Sequence, residues 1–128
     1  MLADLFDKTT RALGASLQLR QTRNNVISSN IANAETPGYQ AKKMDFEAAL
    51  SRALDTEGQG GVAENAIGHV GAEIYENPDG VPGNDGNTVD MDKEMSSLAE
   101  NSIAYKAAIQ LINKKMAALK YAATDGGR

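Results

Sequence analysis

The sequence predicts an all-α fold in which long N- and C-terminal helices form an antiparallel coiled-coil hairpin. Two amphipathic runs near the ends and a Pro-Gly break after the first indicate this fold. The Gly-rich middle is expected to be irregular or to contain short strands. The 128 residues suffice for at most one domain. We divide it into an N-terminal coiled-coil helix (1–36), a Pro-Gly turn with a short helix (37–54), an acidic Gly/Pro-rich segment (55–87), a C-terminal coiled-coil helix that packs with 1–36 (88–123) and a tail (124–128).

The first helix is predicted from apolar residues at three- and four-residue steps, namely Phe6, Leu13, Leu17, Ile27 and Ile31. Pro37 lacks a backbone N–H and disfavours helical geometry at the residue before it, so the helix should end near Glu35. Gly38 then permits the positive φ of a turn. Asn30 and Asn33 lie on one helical face just before the break, where their amides can bond the last carbonyls or a neighbouring chain.

The middle of the chain begins with a short predicted helix from Asp45, its expected N-cap, to Leu54. Between Arg52 and Lys93 there is no basic residue, whereas nine acidic residues accumulate. Low hydrophobicity with a high net charge is typical of segments that do not fold by themselves. We expect one or two short strands at most, around the few apolar residues Val62, Ile67, Val70, Ile74 and Tyr75.

The last helix has the clearest pattern, because its seam positions alternate between steps of four and three. They are Met91, Met95, Leu98, Ser102, Tyr105, Ile109, Ile112, Met116, Leu119 and Ala123. Asp90 or Thr88 is the expected N-cap. Ile103 and Leu111 lie off the seam, so the apolar surface is wider than one partner helix covers. A private intrachain hairpin remains the alternative, but the pattern favours self-association or assembly with similar chains.

Composition and motifs argue against a catalyst, and we predict no enzyme activity and no catalytic, cofactor or metal site. The sequence has no cysteine, and His69 is its one histidine. The glycines around Gly60 lack the Lys-Ser/Thr that completes a phosphate loop. A net charge of −4 does not favour nucleic-acid binding. No apolar run approaches the ~20 residues of a membrane span, and the first eight residues lack the features of a secretory signal.

Residues 30–39 read Asn-Ile-Ala-Asn-Ala-Glu-Thr-Pro-Gly-Tyr, which resembles the signature of the rod, hook and hook-associated axial proteins of bacterial flagella. Segments 44–50, 85–95, 98–105 and 111–116 resemble one branch of that family, the B-type proximal rod proteins of the basal body. The Gly-Asn-Thr-Val-Asp stretch at 86–90 separates this branch from the C type, which shares the first signature.

The resemblance implies a structural subunit of the proximal rod, the hollow axial shaft that joins the membrane ring and export gate to the distal rod. The implied partners are copies of itself, other rod proteins, the basal adapter between ring and rod, and the type III export gate, without membrane insertion. The implied location is the periplasmic rod, reached without a cleaved signal peptide. A needle-type subunit or chaperone of a type III secretion system is the alternative. The expected assembly contacts are Asn30, Ile31, Asn33, Pro37, Gly38, Tyr39, Met95, Leu98, Asn101, Tyr105, Ile109, Ile112, Met116 and Leu119.

Overall fold

The computed structural model of the chain describes residues 2–57 and 73–125, with side chains for 8–55 and 73–124. In this part of the chain the elements are α1 (Leu2–Ala32), β1 (Lys42–Met44), α2 (Phe46–Glu57), β2 (Ile74–Glu76) and α3 (Met91–Asp125). The predicted class, with long terminal helices and a short-strand middle, is confirmed. The predictions for the glycines around Gly60, for Val62, Ile67, His69 and Val70, and for the tail beyond Asp125 lie outside the described residues.

Helices α1 and α3 pack side by side in opposite directions. Near the connected end of this hairpin, Asn30 Nδ2 donates to Glu94 Oε1 at 3.1 Å. Further along, Asn101 Nδ2 donates to the Arg20 carbonyl oxygen at 2.9 Å. Buried positions on α3 are occupied by Asn101 and Ala108. The hairpin therefore uses small and polar side chains at positions where a large apolar core residue would otherwise be expected.

The short elements form a small apolar core against α1. Leu19, Met44 and Ala49 are buried together, with Phe46, Leu50 and Ile74 packed against them. The guanidinium of Arg20 lies 4.0 Å from the centre of the Phe46 ring, a cation–π contact. Burial lowers the pKa of Arg20, and the charge of Arg23 lowers it further. This core fixes α2 and the ribbon on the side of α1.

Strands β1 and β2 form an antiparallel two-stranded ribbon in which Lys42 pairs with Glu76, Lys43 with Tyr75 and Met44 with Ile74. We did not predict β1, because Lys-Lys-Met has neither β-branched residues nor an alternating pattern. Strand formation there depends on the non-local partner rather than on local propensity. The ribbon connects the start of α2 to the segment that precedes α3.

The N-caps were predicted closely, whereas each helix ends two or three residues from its predicted end. Asp45 Oδ1 accepts from the Ala48 N–H and caps α2, as predicted. Asp90 caps α3 through the Asp92 N–H, whereas the alternative, Thr88, directs its hydroxyl elsewhere. Helix α1 ends at Ala32 rather than near Glu35. The chain leaves it through tighter turns, such as Ala34 N to Ile31 O, before Pro37 is reached.

Candidate assembly site at the helix break

Residues 30–42 and 85–94 contact each other extensively, and we call this contact region the elbow. Two glycines with positive φ, Gly38 at 73° and Gly86 at 82°, turn the chain on its two sides. The Gly38 N–H donates to the Asp85 carbonyl at 2.9 Å. A Cβ added to Gly86 would be 3.6 Å from the Gly38 Cα, so the two turns pack directly on each other. The elbow thereby joins the end of α1 to the segment that precedes α3.

Asn30 lies at the centre of the elbow and is 1% exposed. Its Nδ2 donates to the Lys42 carbonyl at 2.8 Å and to Glu94 Oε1 at 3.1 Å. Its Oδ1 accepts from the Lys42 N–H at 2.9 Å and from the Tyr39 hydroxyl at 3.1 Å. One amide side chain therefore connects α1 to β1, to the turn and to the first turn of α3. All its contacts are within the chain.

Asn87, which we did not predict as a site residue, binds the turns that follow α1. It is 7% exposed, and its Nδ2 donates to the carbonyl oxygens of Asn33 and Thr36, both at 2.8 Å. Its Oδ1 accepts from the Val89 N–H at 2.8 Å. The same two carbonyls also accept the backbone N–H groups of Thr36 and Tyr39, so the Asn87 amide adds a second hydrogen bond to each turn. Asn87 lies in the Gly-Asn-Thr-Val-Asp stretch that we singled out in the sequence. Its contacts are with residues far away in the sequence, so no spacing pattern predicts them.

Further backbone contacts complete the elbow. The Thr88 N–H donates to the Tyr39 carbonyl at 3.0 Å, and Thr88 Oγ1 accepts from the Ala41 N–H at 2.8 Å. Gln40 Nε2 donates to the Gly86 carbonyl at 3.1 Å. The two sides of the elbow are thus joined by two backbone hydrogen bonds and by side-chain bonds of Thr88 and Gln40.

Glu94 is the charged side chain most affected by this packing. Burial raises the pKa of its carboxyl above the usual range, and the charge of Asp90 adds to the increase, while the hydrogen bond from Asn30 lowers it. Because burial is the largest of these effects, the ionised carboxylate is less favourable at this position than it is in water. The elbow therefore contains one group whose protonation changes its stability.

The expected assembly residues differ in how much of each side chain a neighbouring subunit can reach. Asn30 and Asn101 are buried, and Asn30 makes intrachain hydrogen bonds with all its polar atoms, so its amide is not free for a neighbour. The half-buried residues are Ile31, Asn33, Tyr39, Leu98, Tyr105, Ile109 and Ile112. The exposed residues are Pro37, Gly38, Met95, Met116 and Leu119.

The seam predicted on α3 is only partly the face that packs on α1. Leu98, Tyr105 and Ile112 are half-buried, but Met91 and Met95 are exposed. The buried residues of α3 are Asn101 and Ala108, which lie one position before the predicted seam residues Ser102 and Ile109. The buried face therefore follows a seven-residue step, but it is offset by one residue from the predicted one. The Asn101 side-chain oxygen has no hydrogen-bond partner among the described residues.

Within residues 2–57 and 73–125, no group of three or more His, Cys, Asp and Glu side chains is arranged to hold a metal ion. In the same residues, no helix combines the length and the apolar character needed to cross a bilayer.

Residues 12–40, which cover most of α1 and one side of the elbow, match the family model described as flagella basal body rod protein. The flagellar basal body rod protein FlgB of Cereibacter sphaeroides is 40% identical over 112 residues, 81% of this chain and 84% of the relative. FlgB of Salmonella typhimurium is 35% identical over 128 residues, 90% and 92% of the two chains. FlgB of Escherichia coli K12 is 34% identical over 125 residues, 88% and 90% of the two chains. The chain therefore belongs to the FlgB family of flagellar basal-body rod proteins.

Proposed function

We propose that this chain builds the proximal rod by packing its terminal helices against those of neighbouring subunits in the wall of a hollow shaft. The observation that carries the proposal is apolar surface on the second half of α3. Met116 is 55% exposed and Leu119 is also exposed, although both continue the predicted seam that includes the half-buried Leu98. Burying such side chains is favourable by ~25 cal/mol per Å². Neighbouring helices in a wall would provide this burial.

The elbow has a separate role in this proposal. It fixes the angle between α1 and the start of α3 through Asn30 and Asn87, and it leaves Pro37 and Gly38 exposed. A rigid elbow lets every copy present its helices in the same orientation, which repeated contacts in a helical assembly require. Pro37, Gly38 and the half-buried Tyr39 are then available as contacts between subunits.

The partners we propose are copies of this chain, other rod proteins, the basal adapter and the export gate. The family locates the chain in the basal body and consists of structural proteins rather than enzymes. We further infer a periplasmic position in the rod, export by the flagellar type III apparatus without a cleaved signal, and no catalytic activity. Family membership favours the rod subunit over the needle-type or chaperone alternative, since the relatives are basal body rod proteins.

The exposed seam can be tested with Met116→Ser and Leu119→Ser combined in one chain. We expect normal secretion, no chain in purified basal bodies and loss of motility. Val81→Ser is the matched control, because it also removes an exposed apolar side chain but lies in the loop before α3. If the double variant is recovered from basal bodies at the level of the original chain, the seam does not pack on neighbours.

The exposed side of the elbow can be tested with Asn33→Ala and Pro37→Ala combined. This variant should be secreted but should not support growth of the rod, because the helix end loses its turn and its amide contact to Ser29. Asn84→Ala, an exposed amide in the loop on the other side of the elbow, is the control. Normal motility of the double variant would contradict the role of this turn in assembly.

A further inference from the structure

A polar cleft with a volume of about 180 Å³ lies between α1 and α3, away from the elbow. Its lining consists of three residues of α1 and four of α3, all of them polar or charged. Arg20 and Lys106 are cationic and the other five lining residues are neutral. Glu100, which precedes the α3 residues of the lining, is not among them. The cleft is therefore positively charged, with no acidic group in its wall.

Arg20 is held in place from two directions. The Nδ2 of the buried Asn101 donates to the Arg20 carbonyl oxygen at 2.9 Å. The Phe46 ring lies against the guanidinium, with 4.0 Å between the guanidinium carbon and the ring centre. Stacking of this kind covers a face of the planar guanidinium, whereas its N–H groups lie in the plane and remain able to donate. The side chain is therefore ordered before any acceptor arrives, which lowers the entropy cost of binding one.

The positive charge of the cleft has no counterpart in the part of the chain that the structure describes. Neither Arg20 nor Lys106 forms an ion pair with a described residue. From Lys8 to Ala32, α1 contains no acidic residue at all. Burial lowers the pKa of Arg20, and the charge of the nearby Arg23 lowers it further. A partly buried cation without an anion is unfavourable, so the cleft gains stability when it binds a negative group.

The size of the cleft limits what this negative group can be. Pockets for cofactors and other molecules of drug size have volumes of roughly 300–1,000 Å³. A cleft of about 180 Å³ is smaller than these and suits a single side chain. The planar fork of an arginine matches the two oxygens of a carboxylate, with which it forms parallel hydrogen bonds. The side chain of an aspartate or a glutamate therefore fits the cleft in both size and chemistry.

Other copies of this chain can supply such a carboxylate. From 73 to 94 there are seven acidic residues and one lysine. Asp79 and Asp92 are exposed in this segment, and neither forms an ion pair with a described residue. Within one molecule, Asp92 is ten positions before Ser102 of the cleft on the continuous helix α3, so their backbones are roughly 15 Å apart. The surplus negative charge of one copy is thus complementary to the cleft of another.

We propose that the cleft between α1 and α3 binds an aspartate or glutamate side chain of a second copy of this chain. Arg20 pairs with the carboxylate, and the exposed Lys106 adds a second positive charge beside it. The cleft and the carboxylate belong to different surfaces of the molecule, so the contact is head-to-tail and can be repeated along a helical assembly. The inference rests on the proposed assembly role and names the chemistry of one contact in it.

Carbodiimide cross-linking of purified basal bodies tests the contact directly. The reagent condenses a lysine amine with a carboxylate that touches it into an amide, and it leaves as a urea that carries the lost oxygen. We expect a product with twice the mass of the chain, in which mass spectrometry finds Lys106 joined to an aspartate or glutamate of a second copy. A link within one chain would leave the mass of a single chain, so the two cases are separated on a denaturing gel.

Variants of the cleft show whether Arg20 holds the guest. Arg20→Gln should lower the yield of the Lys106 link, per chain recovered, about tenfold, the effect of losing a hydrogen bond to a charged group. Arg11→Gln, the same change at an exposed arginine of the same helix, is the matched control and should leave the yield unchanged.

Asn24→Asp tests the same pairing without removing the contact between Arg20 and Phe46. It places a carboxylate of the chain itself in the wall of the cleft, so it should compete with the guest and also lower the yield. Circular dichroism of each purified variant checks that its helix content is kept. If both cleft variants give the Lys106 link at the level of Arg11→Gln, Arg20 does not bind the guest and the proposal is wrong.

The content of the basal bodies distinguishes failure of this contact from failure of the rod function. Basal bodies that contain the chain but give no Lys106 link to a second copy would overturn the contact and leave the rod function in place. A Lys106 link confined to one chain, or to a different protein, would overturn it in the same way. Basal bodies that lack the chain would overturn the rod function, and the contact with it.

Discussion

Replacing Asn30 by Ala should destabilise the elbow more than any other single amide substitution in the described chain. The change removes four hydrogen bonds, two of them to the backbone of Lys42. At about 1 kcal/mol of net stability for each bond, the loss is about 4 kcal/mol. The better helix propensity of Ala returns roughly 0.5 kcal/mol. We therefore expect the free energy of unfolding to fall by about 3.5 kcal/mol.

Urea denaturation followed by far-ultraviolet circular dichroism measures this change, provided that the slope of the transition is unchanged. Asn25→Ala is the control, because it makes the same substitution on the same helix at an exposed position. Asn30→Asp keeps the shape and the acceptors but loses both donors and places a second carboxylate beside Glu94, so it should be at least as destabilising at neutral pH. If Asn30→Ala and Asn25→Ala unfold at the same urea concentration, the Asn30 network does not stabilise the elbow.

The remaining predictions concern the other polar and glycine positions of the hairpin. Asn87→Ala loses three hydrogen bonds and should lower the free energy of unfolding by about 2–3 kcal/mol in the same urea assay. A loss below about 0.5 kcal/mol would show that the Asn87 amide does not hold the turns after α1. The folded-state pKa of Glu94 is raised, so its contribution to stability is fully present below the ordinary pKa of a glutamate side chain and is lost as the pH rises through the folded-state pKa. As the pH rises from acidic to neutral, the urea midpoint of Glu94→Gln should therefore rise relative to that of the original chain. A difference between the two midpoints that does not change with pH would refute this linkage. Gly38→Ala places a side chain at φ 73° and should cost about 1–2 kcal/mol, whereas Gly14→Ala in mid-helix, with open space around it, should stabilise by about 0.5–1 kcal/mol. Equal effects of the two glycine substitutions on thermal unfolding would show that backbone conformation does not decide them.

Local rules predicted the parts of this fold that depend on neighbouring residues in the sequence. Helix periodicity located α1 and α3, and short-range capping chemistry identified Asp45. Non-local contacts were not predictable in this way. The Asn87 amide donates to carbonyls more than fifty positions away in the sequence. Likewise, β1 becomes a strand because β2 pairs with it. The seam on α3 was predicted one position away from the buried Asn101 and Ala108, because a polar and a small side chain do not stand out as core positions in a hydrophobic pattern.

The β1–β2 ribbon and the ion pair between Arg52 and Glu73, 2.8 Å apart, bring the end of α2 and the start of β2 together. The two described ends of the interval between Glu57 and Glu73 are therefore held by contacts that do not involve the residues within it. This is the position at which to insert an epitope tag or a fluorescent reporter when the subunit is to be followed in living cells.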